Sequence, residues 1–565
     1  MNYRILFLAF FFQFAIKSSY AQQWTDVGSA DFSVGQAHFP SVAFNPTTGN
    51  PYVAYIDNHN ASYPTVMMYN GSSWSLAGGS VVTTHAASHT CLAFDNQGNA
   101  YVAYLDGVTN NVVVMESGTT WSMVLNTPVS AGSSTGISLA IDGNGVPYVA
   151  YIDAANSNMA TVKQYTSTGW SLVGSSPASS GAVTSVSLAL YTSGGTTTPY
   201  LAYADVTSSL PVVKQYNGTS WVTLGSSPLS TSQASPIIKL SPTGVPYVAY
   251  TDASTTLNAA SVQVYNTSSN TWSFVGNPRF TQGSAGDISF AINANSIPYI
   301  AFVDGANSNK TTVMTCTNRT NWINVGSPAF TPGAGWDPSL ALDANGVPYI
   351  AYMDASPSNY QMTVEKMAAT ITPAGSTTFC LGGSLVLNAN VTTGTSYQWY
   401  SSSPGDPTET FPIAGATNSS YTATTQASQI FVTETNYGFT ASSPVITLTE
   451  VSYPYEPSIT PAGTASFCTG GSMALNTTSS ANYTYQWYNG SNAISGATAA
   501  SYTATTVGSY TVAITNLNTC TVTTPATVVT VNSYPSATIT SPSPLCDGST
   551  VLNGQYWYRV NIPMV

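Results

Sequence analysis

All four histidines of this 565-residue chain, His38, His59, His85 and His89, fall near its beginning, in or beside segments rich in Ser, Gly and Ala. Two carboxylates lie close by in sequence: Asp57 closes the run PYVAYID and Asp106 closes AYVAYLD. An imidazole beside a carboxylate can relay a proton, ligate a transition metal or hydrogen-bond a sugar hydroxyl. The metal alternative needs converging ligands. His85 and His89 have ligand spacing only on a helix, and their surroundings read as loop, so no metal site is expected. Trp336 is a second irregular residue. It sits in PGAGWDPS, where equivalent segments carry small polar residues. An exposed indole can stack on a sugar ring or plug an opening.

Catalytic signatures are missing: G-x-S-x-G, H-E-x-x-H and a phosphate-binding Gly-rich loop do not occur. A sialidase needs an arginine cluster, and Arg279 and Arg319 are the only arginines among the repeats described below. A neutral-sugar hydrolase or lyase would need paired carboxylates, which sequence alone does not reveal.

The composition narrows the classes further. Charged residues make up 6%, with Lys+Arg 10 against Asp+Glu 22 and a net charge of −12. No basic cluster exists to neutralise a polyanion, so nucleic acid is not an expected partner. A hydrophobic content of 43% argues against disorder. Residues 1–21 read as a secretory signal, with Arg4, an apolar run from Ile5 to Phe12, and the small-x-small end Ser19-Tyr20-Ala21. That run is too short to span a bilayer, and no other stretch is long enough. The expected location is secreted or on the cell surface, with no transmembrane segment.

The elements that hold these residues are repeats. The strand PYVAYxD or a close variant recurs seven times, ending at Asp57, Asp106, Asp153, Asp205, Asp252, Asp304 and Asp354, at spacings of 49, 47, 52, 47, 52 and 50. A second motif, W-x-x-V/L-G or a variant, alternates with it at Trp24, Trp74, Trp121, Trp170, Trp221, Trp272 and Trp322. Each unit reads as four short strands, with turns such as DGNGVP (142–147) between the first two. Four strands per period near 50 residues match the blade of a β-propeller. The phase closes the ring. The chain opens on a lone Trp strand, and the seventh unit lacks one, so Gln23–Gly28 can complete the last blade. Seven blades are expected over 22–367. In these motifs the chain resembles the β-propeller repeats of secreted bacterial proteins, in which P-Y-V-A-Y strands alternate with W-x-x-V-G strands. That resemblance implies an architecture and no single activity.

A propeller places the loops between blades and the loops after second strands on one face. The seven Asp residues, the four His and Trp336 share that face, and ring order brings Trp336 toward His38. The Asp ring can bind cations or sugar hydroxyls, or each carboxylate can cap its own loop; the repetition favours caps. No cofactor is expected, and calcium stays an alternative, although each D-x-N-G turn carries one carboxylate where calcium takes six to eight oxygens. The strand tryptophans read as packing between blades.

From residue 368 the motifs change. ITPAGSTTFCLGGSLVL (371–387) recurs as ITPAGTASFCTGGSMAL (459–475), and YQWY recurs at 397–400 and 485–488. Two modules, 368–451 and 452–532, each with a central Trp, suggest immunoglobulin-like sandwiches, and Gly508-x-Tyr510 fits a tyrosine corner. A third module, 533–565, breaks off. These segments resemble the Ig-like repeats strung along bacterial surface and adhesin proteins. Cys468 and Cys520, near the first and last strands of the second module, are expected to form a disulfide. Cys380 is expected to stay free, because Phe439 holds the place matching Cys520.

The fold class expected is therefore all-β, a seven-bladed β-propeller followed by Ig-like β-sandwich modules. The function expected is binding or adhesion by a monomer, a propeller head on Ig-like spacers, with an extracellular glycan or a surface protein as partner. A secreted carbohydrate-active hydrolase or lyase, and a purely structural surface protein, are the alternatives. The contact residues expected are His38, His59, His85, His89, Trp336, Asp57, Asp106 and Asp354. Such a site suits a neutral glycan and suits an anionic one poorly.

Overall fold

The computed structural model describes residues 22–534, except 227, 233, 254–256, 357–359, 392–393, 404–405, 425–428 and 456. The signal segment, Cys546 and nearly all of the third module lie outside the described residues. Two compact units emerge. One holds the chain up to Gly375 with Val386–Ala423 and Ala427–Thr447; the other holds Ser376–Leu385 and the chain from Leu448 onward. No helix among the described residues is long and apolar enough to cross a membrane.

The first unit contains seven four-stranded antiparallel sheets. Their first strands are Ala37–Phe44, Ala87–Phe94, Ser134–Ile141, Val183–Ser193, Ile237–Leu240, Ala285–Ile292 and Gly335–Leu342. Sheets one to six run in chain order. In the seventh the outer strand is Gln22–Asp26, which pairs with Gln361–Ala369 in a register that sets Trp24 opposite Met367 and Asp26 opposite Glu365. Each first strand touches the next, and the seventh touches the first, so the sheets complete a circuit.

Apolar residues fill the spaces between neighbouring sheets. Ile56 and Val66 of the first sheet pack with Leu92, Val102 and Trp121 of the second. Tyr299 and Val313 of the sixth, Ile350 and Val364 of the seventh, and Val42 and Val53 of the first share one core that joins the two ends of the circuit.

Two belts of hydrogen bonds tie the sheets edge to edge. On the outside, each strand tryptophan donates to a backbone carbonyl three residues beyond the tryptophan of the preceding sheet: Trp24 to Val325 (3.0 Å), Trp74 to Val27 (2.6 Å), Trp121 to Ala77 (3.0 Å), Trp221 to Val173 (3.0 Å), Trp272 to Leu224 (3.1 Å) and Trp322 to Val275 (2.7 Å). Trp170 Nε1 is the exception, buried without an acceptor among the described residues. The motif's glycine is explained by the same contact. Gly28 has a φ of +76°, and a Cβ there would stand 3.1 Å from Trp74, so only glycine both turns and lets the indole approach.

On the inside, a serine in one first strand accepts from a backbone N–H of the next. Ser339 accepts from Val42, Ser41 from Leu92, Ser138 from Leu188, Ser187 from Ile238 and Ser289 from Leu340. At Cys91 a thiol takes the serine's place and accepts from Leu139 N–H, and the belt breaks only at Ile237 among the described residues.

The remaining strands form smaller sheets. Within the first unit, the turn Asn436–Phe439 seats on the sixth sheet. Tyr299 donates to Tyr437 O (2.6 Å), Asn293 donates to Gly438 O (3.2 Å), and Phe439 is buried among the joining core. In the second unit two sheets enclose Trp487, which is fully buried and donates to Ala499 O (2.9 Å). Tyr510 donates to Thr506 O four residues upstream (3.0 Å).

The disulfide corrects the expected pairing. Cys520 bonds to Cys380, and Cys468 is a free, exposed thiol. Strand register explains this. Cys468 lies opposite Asn532 in a parallel pair, and Asn532 continues past the Gly508 end of the strand Gly508–Asn516. Cys520 follows the other end of that strand, held by Asn516 Oδ1 (3.0 Å). The separation is on the order of 30 Å along the strand direction, far beyond disulfide reach. Cys380 pairs opposite Val451, whose carbonyl faces the Cys520 sulfur.

Candidate functional site

The repeated Asp ring is held in place by strand pairing. Asp57, Asp106, Asp153, Asp205, Asp304 and Asp354 each lie opposite a residue at the start of a first strand, so they mark one end of the circuit. Their carboxylates accept from their own turns. Asp57 accepts from the N–H groups of His59 (3.0 Å) and Asn60 (3.3 Å), Asp153 from Ala155 N–H (3.1 Å), and Asp354 from Ser356 N–H (2.9 Å). Asp106 accepts from the Val108 and Thr109 N–H groups and the Thr109 hydroxyl. Burial opposes ionisation of Asp106, but these donors and His85 outweigh it and hold the carboxyl below its ordinary value. The D-x-N-G turns work alike, Asp142 accepting from Asn144 N–H and Val146 N–H.

The histidines separate. His85 is 69% exposed, its Nδ1 3.6 Å from Asp106. His59 packs over Gly35, where a Cβ would come within 2.8 Å of it. His38 lies in the first strand of sheet one, opposite Ile56. Among the described residues, no group of three His, Cys, Asp or Glu is placed to hold a metal ion.

What gathers side chains is a bulge that sequence reading missed. Near the start of five first strands, the register slips and a residue takes positive φ: Phe39 (51°), His89 (56°), Gly136 (61°), Asp287 (37°) and Asp337 (51°). A bulge bends its strand and re-aims a side chain. Non-glycine residues rarely adopt this conformation. Four of these residues, from sheets one, two, six and seven, line one cavity of about 250 Å³. The Phe39 and His89 rings stack at 4.3 Å, and Phe39 N–H donates to Asp337 Oδ2 (3.3 Å). Burial pushes the His89 imidazole down, with Asp337 opposing it. Burial pushes the Asp287 carboxyl up, and Asp337 pushes the same way.

Asp287 and Ile288 also border a larger cavity of about 710 Å³, lined by Ser187, Lys239, Ser284, Asn309 and Trp336 among others. Trp336 corrects an expectation here. It lies in a first strand, opposite Met353, rather than in a loop between sheets. Its half-buried ring shares a cavity with sheets four, five and six, and His38 is not among the residues lining that cavity. Lys239 was legible by aligning first strands. The position two beyond the belt serine is Ala43, Ala93, Ala140, Ala189, Ala291 and Ala341 in six sheets, and lysine in the fifth.

No family model and no curated protein matches the chain. Solved structures do. The SapL1 lectin in complex with alpha methyl fucoside superposes with a TM-score of 0.39 at 16% identity, over 54% of this chain and 99% of that one. AofleA from Arthrobotrys oligospora gives 0.37 at 11%, over 54% and 91%. A polysaccharide lyase of family PL25, an ulvan lyase, gives 0.39 at 12%, over 59% and 94%. At such values these likenesses identify no function for this chain.

Proposed function

We propose that residues 22–369 form a seven-bladed β-propeller that binds glycan at the end of the ring where the first strands begin, displayed outside the cell on Ig-like sandwiches. One observation carries the reading. The repeat's symmetry is broken at this mouth, where an aromatic ring, Trp336, and a carboxyl, Asp287, line a cavity of about 710 Å³. An indole face receives the C–H face of a sugar, while carboxyl and serine groups exchange hydrogen bonds with its hydroxyls. The Asp ring supports the fold, since its oxygens already accept from their turns. The test is a glycan-array screen of the full chain, with and without calcium. Binding that Trp336→Ala abolishes without lowering the melting temperature supports the reading; silence across the array overturns it.

A second reading rests on a different observation. Asp287 and Asp337 stand near one another, with the Asp287 carboxyl raised by burial and by its neighbour. Two neighbouring carboxyls can act together as acid and base or nucleophile on a glycosidic bond. Release of shorter products from a bound glycan, lost in Asp287→Asn, would favour a hydrolase or lyase over a binder.

A further inference from the structure

One turn of the sandwich repeat seats on what precedes it in the chain, in both of its described copies. In the first repeat, 368–451, that turn is 436–439, and it lies on the sixth sheet, with Tyr299 donating to Tyr437 O (2.6 Å). In the second repeat, 452–532, the matching turn is 516–520. Asn436 pairs with Phe439, and Asn516 N–H likewise donates to Cys520 O (3.0 Å). This second turn is held by the strand ends before it. Cys520 is bonded to Cys380, and Asn516 Nδ2 donates to Ser452 O (3.0 Å).

The receiving end is built again one repeat later and stands open. Thr378–Cys380 runs parallel to Thr449–Val451, and Thr464–Cys468 runs parallel to Thr527–Asn532. Cys380 O accepts from Gly383 N–H (2.8 Å), and Cys468 O from Gly471 N–H (2.8 Å). Val451 O accepts from Leu381 N–H (2.9 Å), and Asn532 O from Thr469 N–H (2.9 Å). Ser-Tyr-Pro follows each pair, at 452–454 and at 533–535. The occupied end and the open end therefore share register, hydrogen bonds and sequence. At the open one Cys468, Asn532 and Ser533 are exposed, and no bond reaches the Cys468 sulfur or Ser533 O among the described residues.

The cysteine pattern agrees. Cys380, Cys468 and Cys546 open three successive repeats, in TFCLGG, SFCTGG and PLCDGS. The first repeat has an opening cysteine and no turn cysteine, which bonding within each repeat would leave unpaired. Bonding from each opening cysteine to the turn of the next repeat accounts for it. The first turn meets the sixth sheet, and there Phe439 is buried where the second turn carries a sulfur.

We infer that Cys468, Asn532 and Ser533 form the docking end for the turn of a further Ig-like repeat, continuing in tandem from Ser533, whose turn cysteine bonds to Cys468. Docking there does not require that the propeller bind glycan. The bond needs a two-electron oxidant, a small-molecule disulfide such as oxidised glutathione. The turn thiolate takes one glutathione onto its sulfur and releases the other, and the Cys468 thiolate then displaces the first. Two cysteine thiols lose two protons and two electrons, and one oxidised glutathione becomes two thiols.

The test inserts a second copy of 452–532 between Asn532 and Ser533 of the full chain, with Leu517→Val marking the inserted turn. After oxidation in glutathione buffer, peptides are mapped under non-reducing conditions. Cys468 is expected to be linked to the inserted turn cysteine within one chain, while it stays open to alkylation in the unextended protein. Cys468 open in the extended chain, a bond between the two cysteines of the inserted copy, or a Cys468 bond found only between chains overturns the inference. A second arm decides if the inserted copy does not fold. The unextended full chain is treated with a synthetic peptide of residues 512–523, its Cys520 activated as a mixed disulfide with thiopyridine, and labelling at Cys468 is followed by mass spectrometry. It should run about tenfold faster than with a scrambled peptide of the same composition, the factor that one or two hydrogen bonds supply; equal rates overturn the inference.

Discussion

At the scale of single residues, function and fold draw on different positions of one repeat. The aspartate closing each second strand recurs because every turn needs a cap. The bulge residue varies from Phe39 to His89 to Asp337 because the fold asks only for a bend there. A bulge is a mismatch of length between paired strands, and it leaves no mark in either strand alone. That is why Phe39, Asp287 and Asp337 were invisible while His89, a rare residue type, was not. One buried carboxyl lies outside the site and sets a pH dependence. Glu365 accepts from the Tyr352 hydroxyl (2.6 Å). Burial pushes its pKa up to about 7, with Asp26 and Asp354 adding to the rise and Tyr352 opposing it. A folded-state pKa above the unfolded value near 4.5 contributes stability that is complete below about pH 4.5 and is lost as pH rises through about 7. The loss amounts to roughly 3 kcal/mol at most. Melting temperature should therefore fall between pH 5 and pH 8, and Glu365→Gln should flatten that slope; an unchanged slope in the variant would contradict the assignment.

At the scale of elements, the belts explain why the two motifs alternate so strictly. Trp24 stacks on Phe330 at 4.4 Å and donates to Val325, so it joins the seventh sheet to the sixth. Trp24→Ala should cost about 2–3 kcal/mol, less than a fully buried tryptophan because the ring is half exposed, measured by denaturant unfolding. A loss no greater than a surface substitution would mean the outer strand is dispensable. The inner belt yields a gain instead. Cys91→Ser supplies the hydroxyl that five sheets already use and should stabilise by about 1 kcal/mol; a lower melting temperature would refute the belt's energetic role. The pairing is hidden from sequence because the second repeat is not self-contained: the turn carrying Cys520 faces Cys380 and Val451. Non-reducing peptide mapping should find Cys380 linked to Cys520 and Cys468 open to alkylation. A Cys468–Cys520 peptide would restore the pairing first expected.

At the scale of the whole molecule, repetition made the architecture readable and concealed the site. Seven copies of a strand reveal what every sheet needs, and the bonds Trp24 to Val325 and Val42 to Ser339 tie the seventh sheet to its neighbours. A binding site is the set of places where copies differ, and in this chain those places become neighbours only once the circuit is formed. Trp336 shares a cavity with Lys239 and Asp287, residues from three different sheets. The central claim is that this mouth binds glycan through the Trp336 face. Titration calorimetry of the full chain and of Trp336→Ala against the tightest glycan from an array tests it most directly. The account predicts a Kd at least tenfold weaker in the variant with an unchanged melting temperature; equal affinity in the two proteins would contradict it.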